Sequence, residues 1–206
     1  MQIKTEKANS KDYPFFILGS GSPRRKELLS EIMIDFQVIP SKADEIQSHP
    51  GGPLALVGEN ARLKAWEVAR RYPQSWVLGA DTMVWIGKKI LGKPKDKQDA
   101  FDMLKLLSDK THSVSTGVAL ICKSEGFEKS LVETSQVTFK LLSDKTIKLY
   151  FQMVDPLDKA GAYAIQTRSD LIIKSFDGSK SNVIGLPTEA LYDFLPSSIK
   201  PILRWH

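Results

Sequence analysis

The sequence predicts a mixed α/β protein, in which helices flank a β-sheet. Short apolar runs typical of buried strands alternate with stretches of helical periodicity, and the first such pair covers residues 15–18 and 23–29. Two long β-rich segments, 114–122 and 131–141, are separated by a short turn, which indicates an antiparallel ribbon. Together these features favour a mixed sheet. Because no linker divides the chain, we expect a single domain over residues 1–206, with two lobes, a central cleft and a loosely ordered leader at residues 1–14.

The first half of the chain follows this plan element by element. Residues 36–39 form a predicted strand, and a polar loop containing Glu45 covers 41–53. Apolar residues recur at helical spacing over 54–72, with Lys64 among the outward-facing polar residues. A buried strand over 76–82 is expected to end on Asp81-Thr82, before a hairpin of residues 83–86 and 89–91.

The second half adds three helices and completes the sheet. Amphipathic helices are expected over 99–107 and after the cap residue Ser143, and Asp155-Pro156 stops the latter. A strand over 171–176 and the Asp177-Gly178 turn follow, and we expect residues 179–186 to close the sheet. The last predicted helix covers 187–195.

Composition excludes several classes of protein. The chain is 42% hydrophobic and 26% charged, as is typical of a globular protein with a substantial core. No apolar run approaches the roughly 20 residues that cross a bilayer. Because residues 1–14 are polar and lack an apolar stretch, we do not expect them to act as a signal peptide. The single cysteine, Cys122, lies in an apolar run and is expected to be a core residue in a reducing compartment. We therefore expect a cytoplasmic protein with no membrane partner.

The net charge of +5 favours an anionic ligand. The basic residues are spread out and are not interleaved with aromatics, so nucleic acid is not the expected partner. Because the three histidines are isolated in sequence, any metal would be a hard ion held by carboxylates and phosphate.

An anion site is predicted where the first strand meets the first helix. Ser22 suits the N-cap position, but Arg24 and Arg25 follow, and cations in a first turn oppose the helix dipole by roughly 0.3–1 kcal/mol each. Local rules are most often broken where a site is built. The helix N–H groups, the Ser20 and Ser22 hydroxyls and both guanidiniums suit a polyanion. The alternative, an ordinary joint with solvated arginines, stays open on these residues alone.

Two further stretches carry candidate functional residues. Asp81 and Thr82 stand at the expected end of a buried strand, where ligands bind in α/β sheets, and Lys93 lies on a Gly-Lys-Pro turn. Residues 156–166 combine Asp158-Lys159 with Gln166, whose amide offers a donor and an acceptor to a base edge. Taken singly, a turn role for Asp81 and an exposed position for Gln166 remain the simpler interpretations.

Taken together, these stretches resemble the Maf family of nucleotide pyrophosphatases. The resembling segments occur in the family's order from about residue 17 to 195: S-G-S-P-R-R-K-E-L-L (20–29), G-A-D-T-M-V (79–84), G-K-P (92–94), D-K-A-G-A-Y-A-I-Q (158–166) and I-G-L-P (184–187). The resemblance implies an elongated α/β fold related to the inosine triphosphate pyrophosphatases, with the site in the cleft. It further implies hydrolysis of a nucleoside triphosphate to monophosphate and pyrophosphate with Mg²⁺ or Mn²⁺, and a homodimer.

The resemblance also implies roles for individual residues. Asp81 matches the catalytic proton acceptor, and Arg24, Thr82 and Gln166 match positions that separate subfamilies. This combination resembles the branch that acts on dTTP and UTP, whereas the 7-methyl-GTP branch carries Trp, Gln and Glu there. Further matches to the family's residue types are Glu45, Lys64, Lys93, Asp158 and Lys159.

These matches combine into a catalytic hypothesis. Asp81 is the general base, Glu45 and Asp81 hold the metal and the water, and Lys93 completes the catalytic set. Thr82 and Gln166 read the pyrimidine. The triphosphate is clamped by cations, and the remaining substrate-binding residues surround it: Arg24, Arg25, Lys64 and Lys93 in the clamp, with Ser20, Ser22, Asp158 and Lys159.

Several departures from the family pattern bear on rate and substrate range. Ala164 stands where glycine is usual, and Ser135-Gln136 replaces Thr followed by an acid. Gly19 replaces the usual alanine of the first loop, and Ser181-Asn182 falls in a variable turn. Other functions also stay open: a pyrophosphatase for non-canonical nucleotides, or a nucleotide-binding regulator of septum formation and cell division.

Overall fold

A mixed sheet of seven strands with helices on its flanks confirms the predicted fold class. The computed structural model describes residues 15–33 and 35–199, so the expected leader at 1–14 lies outside the described residues. The strands are β1 (Phe16–Leu18), β2 (Gln37–Val38), β3 (Trp76–Ile86), β4 (Lys89–Leu91), β5 (Thr111–Cys122), β6 (Phe127–Phe139) and β7 (Ile173–Asp177). The helices are α1 (Pro23–Ile32), α2 (Gly52–Arg71), α3 (Lys97–Leu107), α4 (Asp144–Met153), α5 (Lys180–Ile184) and α6 (Thr188–Phe194).

The strand order β2-β1-β3-β5-β6-β7 leaves a notch beside the centre of β3. β5 pairs antiparallel with one edge of β3 from Val77 to Trp85. On the opposite edge, β1 pairs parallel with residues 76–78 and β4 pairs antiparallel with residues 84–86. In the described part of the chain, no strand pairs with residues 79–83 on that edge. The notch leaves residues 79–83 of β3 facing the space between β1 and β4.

Alternate residues of the strands bury themselves against different helices. Phe16 and Leu18 pack with the apolar residues of α1 and α6, whereas Ile17 packs against α2. This alternation is the expected period of two for a sheet covered on both faces. A separate apolar cluster joins the far ends of β3, β5 and β6 to α3 and α4. Cys122 is fully buried in the first cluster, as predicted.

Two glycines allow α2 to lie directly on the sheet. A Cβ on Gly79 would stand 2.4 Å from the carbonyl oxygen of Ala61, and a Cβ on Gly117 would stand 2.4 Å from that of Val57. Both distances are far below van der Waals contact, so any side chain at either position would push the helix away. Because Gly117 is the β5 partner of Asp81, this close approach occurs beside the notch.

Two sequence expectations were wrong. β3 does not end at Asp81-Thr82 but continues to Ile86, because β5 pairs with it along almost its whole length. Residues 179–186 do not close the sheet: Ser179 caps the short helix α5 by accepting a hydrogen bond from the Asn182 N–H. The other predicted helices and strands are present, with ends shifted by up to four residues. Among the described helices, none has the length and apolar character needed to cross a membrane.

Candidate active site

A cleft of about 790 Å³ opens at the notch. It lies between the β1–α1 loop, the polar loop before α2, the β4–α3 turn and the segment that follows α4. Every residue that the sequence singled out for the site lines this cleft: Ser20, Ser22, Arg24, Arg25, Glu45, Lys64, Asp81, Thr82, Lys93, Asp158, Lys159 and Gln166. Five of these side chains are cationic and three are acidic, so the cleft attracts anions.

Asp81 forms the floor of the cleft and pairs with Lys64. The Lys64 ammonium donates to Asp81 Oδ1 at 2.8 Å and also lies 2.9 Å from Glu45 Oε1. Asp81 is only 6% exposed, and its second oxygen, Oδ2, is buried without a hydrogen-bond partner. The expectation that Lys64 faces outward was wrong, because its side chain lies in the cleft against the two carboxylates. A buried carboxylate oxygen without a partner is available to a proton, a water or a cation.

Asn60 holds the loop that carries Glu45, and the sequence interpretation missed it. Its side chain accepts from the Ile46 N–H at 2.9 Å and donates to the Ile46 carbonyl oxygen at 3.1 Å. Asn60 is 1% exposed and stands one helical turn before Lys64. The sequence did contain a signal for this role: Asn60 stands one helical turn after Leu56, on the apolar face of the helix. An amide buried there needs hydrogen-bond partners.

The Arg25 guanidinium is fixed by three uncharged acceptors. It donates to the Gly185 carbonyl oxygen at 2.9 Å, to Ser20 Oγ at 3.0 Å and to Thr82 Oγ1 at 3.0 Å. None of the described carboxylates forms an ion pair with it. Burial lowers the pKa of Arg25, and the fields of Asp81 and Glu45 partly oppose this shift. The site therefore contains a positioned cation whose charge no direct partner neutralises.

Thr82 takes part in a chain of hydrogen bonds across the sheet. Its hydroxyl accepts from Arg25 and lies 3.0 Å from the hydroxyl of Thr116, which donates to the Asn182 carbonyl oxygen at 2.9 Å. Asn182 is fully buried in α5, the helix that replaced the expected strand. Neither Thr116 nor Asn182 was predicted as a site residue, because each acquires its contact only when β5 and α5 meet.

The outer rim of the cleft carries the remaining predicted residues. Arg24 Nη1 pairs with Asp158 Oδ2 at 3.2 Å, and Asp158 also pairs with Lys159, so Asp158 orients two cations. These pairs hold the pKa of Asp158 below its usual range. Lys93 and Gln166 are exposed at the cleft and make no side-chain hydrogen bond with the described residues. Their polar groups are free to meet a ligand.

The departures at Ala164 and at Ser135-Gln136 lie in different places. Ala164 lines the cleft, and its backbone N–H donates to the Tyr150 hydroxyl at 3.0 Å. Ser135 is buried beneath α5, where its hydroxyl donates to the Ser179 carbonyl oxygen, and Gln136 bonds with Ser113. Neither Ser135 nor Gln136 lines the cleft, whereas Ala164 does and so is placed to alter contact with a ligand.

No group of three or more His, Cys, Asp or Glu side chains that could hold a metal occurs within residues 15–33 and 35–199. The two predicted metal ligands, Glu45 and Asp81, contact the same Lys64 ammonium. Any metal held by these two carboxylates would need further oxygen ligands from a bound substrate or from water.

The fold and the cleft define a mixed α/β protein with a cationic cleft over a buried carboxylate. A family model described as Maf-like protein matches residues 15–198, and the chain belongs to that family. It is 46% identical to the dTTP/UTP pyrophosphatase of Myxococcus xanthus over 85% of this chain and 88% of the relative. It is also 46% identical to the dTTP/UTP pyrophosphatase of Acholeplasma laidlawii, over 91% and 99%, and 44% identical to that of Thermococcus gammatolerans, over 85% and 92%.

Among solved structures, the chain is similar to the Ham1 protein of Staphylococcus aureus. The match has a TM-score of 0.48 at 14% sequence identity, and it covers 87% of this chain and 96% of that one.

Proposed function

We propose that this protein hydrolyses dTTP and UTP to the nucleoside monophosphate and pyrophosphate. The observation that carries the proposal is Asp81, a buried carboxylate with one oxygen bound by Lys64 and the other free, beneath a cleft with five cations. Such an arrangement suits a base that takes a proton beside a polyanion. The relatives named dTTP/UTP pyrophosphatase support the reaction and the pyrimidine substrates.

The triphosphate is bound by the cations of the cleft. Arg25 is already oriented by three acceptors, so it loses little conformational entropy when a phosphate arrives. Arg24, Lys93 and Lys159 approach from the rim, and the Ser22 hydroxyl caps α1 beside them. These positive charges neutralise the phosphate oxygens as charge moves onto the leaving pyrophosphate.

Hydrolysis at this site needs one water and one proton acceptor. The water oxygen bonds to phosphorus, the anhydride bond between the α- and β-phosphates breaks, and the pyrophosphate leaves with the electron pair of that bond. Asp81 Oδ2 takes the proton of the attacking water, since Oδ1 is engaged by Lys64. Lys64 contacts both Asp81 and Glu45 and so holds the two carboxylates close together.

The residues fit a divalent cation of the hard type. Glu45 offers a half-exposed carboxylate, and Asp81 Oδ2 has two lone pairs, one for a cation beside the one that takes the proton. Carboxylate and phosphate oxygens are the ligands that Mg²⁺ and Mn²⁺ take. When bound, the ion supplies Lewis-acid stabilisation of the phosphate charge.

Pyrimidine recognition falls to Gln166, whereas Thr82 acts through Arg25. The Thr82 hydroxyl is already engaged with Arg25 and Thr116, so its contribution is to hold the Arg25 guanidinium. Gln166 has a free amide at the cleft, which offers a donor and an acceptor to a base edge. A homodimer and a role in septum formation stay predictions from the resemblance.

The test is pyrophosphate release from a panel of nucleotides with Mg²⁺ or Mn²⁺. The panel contains dTTP, UTP, CTP, GTP, ITP and 7-methyl-GTP. We expect the highest kcat/KM for dTTP and UTP. A preference for ITP would contradict the pyrimidine assignment, and a preference for 7-methyl-GTP would contradict the interpretation of Arg24, Thr82 and Gln166.

The base assignment is tested by Asp81→Asn, which keeps the side-chain volume but removes the proton acceptor. We expect kcat to fall at least 100-fold, within the range given by loss of a general base. Asp144→Asn is the matched control, because Asp144 pairs with Lys105 on the surface and does not line the cleft. Full turnover by Asp81→Asn would show that another group activates the water.

A further inference from the structure

The segment from Ala160 to Gln166 lines one side of the cleft and has an unusual backbone. Gly161 and Ala162 are consecutive residues with positive φ angles of 68° and 64°. Alanine rarely adopts this conformation, which persists only where surrounding contacts hold it. Ala162 is fully buried, and the Gly161 N–H donates to the Gly92 carbonyl oxygen at 3.1 Å, next to Lys93. The segment is therefore fixed at its start by the turn that carries Lys93.

The middle of the segment is fixed by a buried histidine. His112 Nε2 lies 2.8 Å from the hydroxyl of Tyr163, and His112 is 1% exposed. The rings of His112, Tyr163 and Phe139 pack edge to face with one another, at centroid distances of 4.9–5.3 Å. Tyr163 lines the cleft, whereas His112 lies behind it at the start of β5. His112 thus acts on the cleft only through Tyr163.

A second phenol fixes the next residue. The Tyr150 hydroxyl accepts from the Ala164 N–H at 3.0 Å and donates to the Ala164 carbonyl oxygen at 3.4 Å. Tyr150 belongs to α4 and is fully buried. Both polar groups of the Ala164 backbone are therefore satisfied by one side chain, and no strand or helix is needed to hold this part of the chain.

We propose that His112 and Tyr150 are positioning residues for nucleotide selection: through Tyr163 and Ala164 they fix residues 160–166 and hold Gln166 at the cleft. The inference rests on the proposed function for its choice of nucleotides. Neither His112 nor Tyr150 lines the cleft. Gln166, two residues after Ala164, does line it, and its free amide offers hydrogen bonds to the base edge. Because a displacement of about 1 Å is enough to weaken such contacts strongly, a loosened segment lowers discrimination more than turnover.

The first readout is hydrogen exchange of the backbone amides of residues 160–166. Tyr163→Phe and Tyr150→Phe each remove one hydroxyl and keep the ring, so the packing is preserved. We expect exchange in this segment to become at least tenfold faster in both variants. His112→Leu should act in the same way, whereas His112→Gln, which keeps a hydrogen-bonding group towards Tyr163, should restore part of the protection. Unchanged exchange in Tyr163→Phe and Tyr150→Phe would overturn the inference.

The second readout is the ratio of kcat/KM for dTTP to kcat/KM for CTP. We expect Tyr163→Phe and Tyr150→Phe to raise KM for dTTP about tenfold and to lower the ratio about tenfold, with kcat changed by less than threefold. Tyr192→Phe is the control, since Tyr192 lies on α6 outside the cleft, and it should match the unaltered protein.

The two proposals fail in different ways. If the unaltered protein released no pyrophosphate from dTTP or UTP, the proposed function would be wrong, and the exchange measurement would still decide whether these residues hold the segment. If the unaltered protein preferred dTTP to CTP and Tyr163→Phe had the same ratio of kcat/KM values, the positioning role would be wrong. The proposed function would then stand.

Discussion

The Arg25 side chain explains why the first helix breaks a local rule. Its backbone N–H donates to the cap residue Ser22, as an ordinary helix start requires. Its guanidinium, however, turns to Ser20, Thr82 and Gly185 and forms part of the cleft. The unfavourable position of a cation in the first turn is offset by these hydrogen bonds. The sequence showed the broken rule, but Gly185 lies 160 residues away and only the fold shows where the charge is used.

The buried His112 makes the stability of the protein depend on pH. Burial lowers the pKa of His112 from 6.5 to about 4, and the Tyr163 phenol that faces it stays neutral because burial raises its pKa. Between pH 6.5 and about pH 4, His112 binds a proton in the unfolded chain but not in the folded chain. The free energy of unfolding therefore falls as pH decreases from 7 towards 4. At pH 4.5 the loss from this residue amounts to about 2–3 kcal/mol.

Urea unfolding at pH 7 and pH 4.5 measures this loss. Carboxylates also titrate in this range, so the comparison is between the unaltered protein and His112→Gln, which has no group that titrates there. Between pH 7 and pH 4.5 we expect the free energy of unfolding to fall by about 2–3 kcal/mol more in the unaltered protein than in the variant. Equal losses in the two proteins would show that His112 keeps an ordinary pKa in the folded state.

At the scale of elements, the position of α2 decides the geometry of the site. The helix brings Lys64 to Asp81 and Asn60 to the loop that carries Glu45, and it can do so because Gly79 and Gly117 carry no side chain. Helix periodicity in the sequence predicted α2 but not how closely it packs on the sheet, because that distance depends on Gly79 of β3 and Gly117 of β5.

Gly117→Ala tests the close packing of α2. The new Cβ would stand 2.4 Å from the backbone oxygen of Val57, so the helix must shift. We expect the free energy of unfolding to fall by about 3 kcal/mol, at the upper end for overpacking. We also expect kcat to fall, since Lys64 moves away from Asp81. Denaturant unfolding and steady-state kinetics measure the two effects.

Gly58→Ala is the matched control in the same interface. A Cβ at this position would meet only the Val132 side chain, at 3.3 Å, and alanine is the better helix former. We expect stability within about 1 kcal/mol of the unaltered protein and unchanged kinetics. A loss from Gly117→Ala no larger than that of Gly58→Ala would contradict the packing argument.

The short helix α5 shows how a contact overrides a local pattern. Residues 179–186 contain Val183, Ile184 and Leu186 after a strand and a turn, which favoured a further strand in the sequence. In the structure Ser179 caps a helix, and the Asn182 amide donates to the Val114 carbonyl oxygen and to Ser135 Oγ. These buried hydrogen bonds stabilise the helix and place the Gly185 carbonyl oxygen against Arg25.

For the whole molecule, the distribution of charge matters more than its sum. The net charge is +5, and the eight charged side chains among the predicted site residues, five cations and three acids, all line one cleft. The cleft therefore concentrates positive charge that the sequence shows only as scattered residues. A polyanion that binds there stabilises the folded state, because it binds that state alone.

Thermal unfolding of Asp81→Asn with dTTP and Mg²⁺ tests this stabilisation while turnover is slow. At a ligand concentration of 100 times Kd we expect a gain of about 2.7 kcal/mol. For a protein of this size that gain raises Tm by about 5–10 °C. Thymidine, which has the base and sugar but no phosphates, should leave Tm unchanged at the same concentration. An equal shift with thymidine would show that the cations do not supply the affinity.

The sequence by itself determined the order and type of nearly all elements and the charged residues that line the cleft. Strand alternation, helix periodicity and caps such as Ser22 and Ser143 act over a few residues, so they can be read locally. Tertiary structure alone decided that Asp81 lies within a strand beside a notch, that Lys64 turns inward and that His112 supports Tyr163. Those contacts join residues 17 to 51 positions apart, and no local rule specifies which distant residues meet.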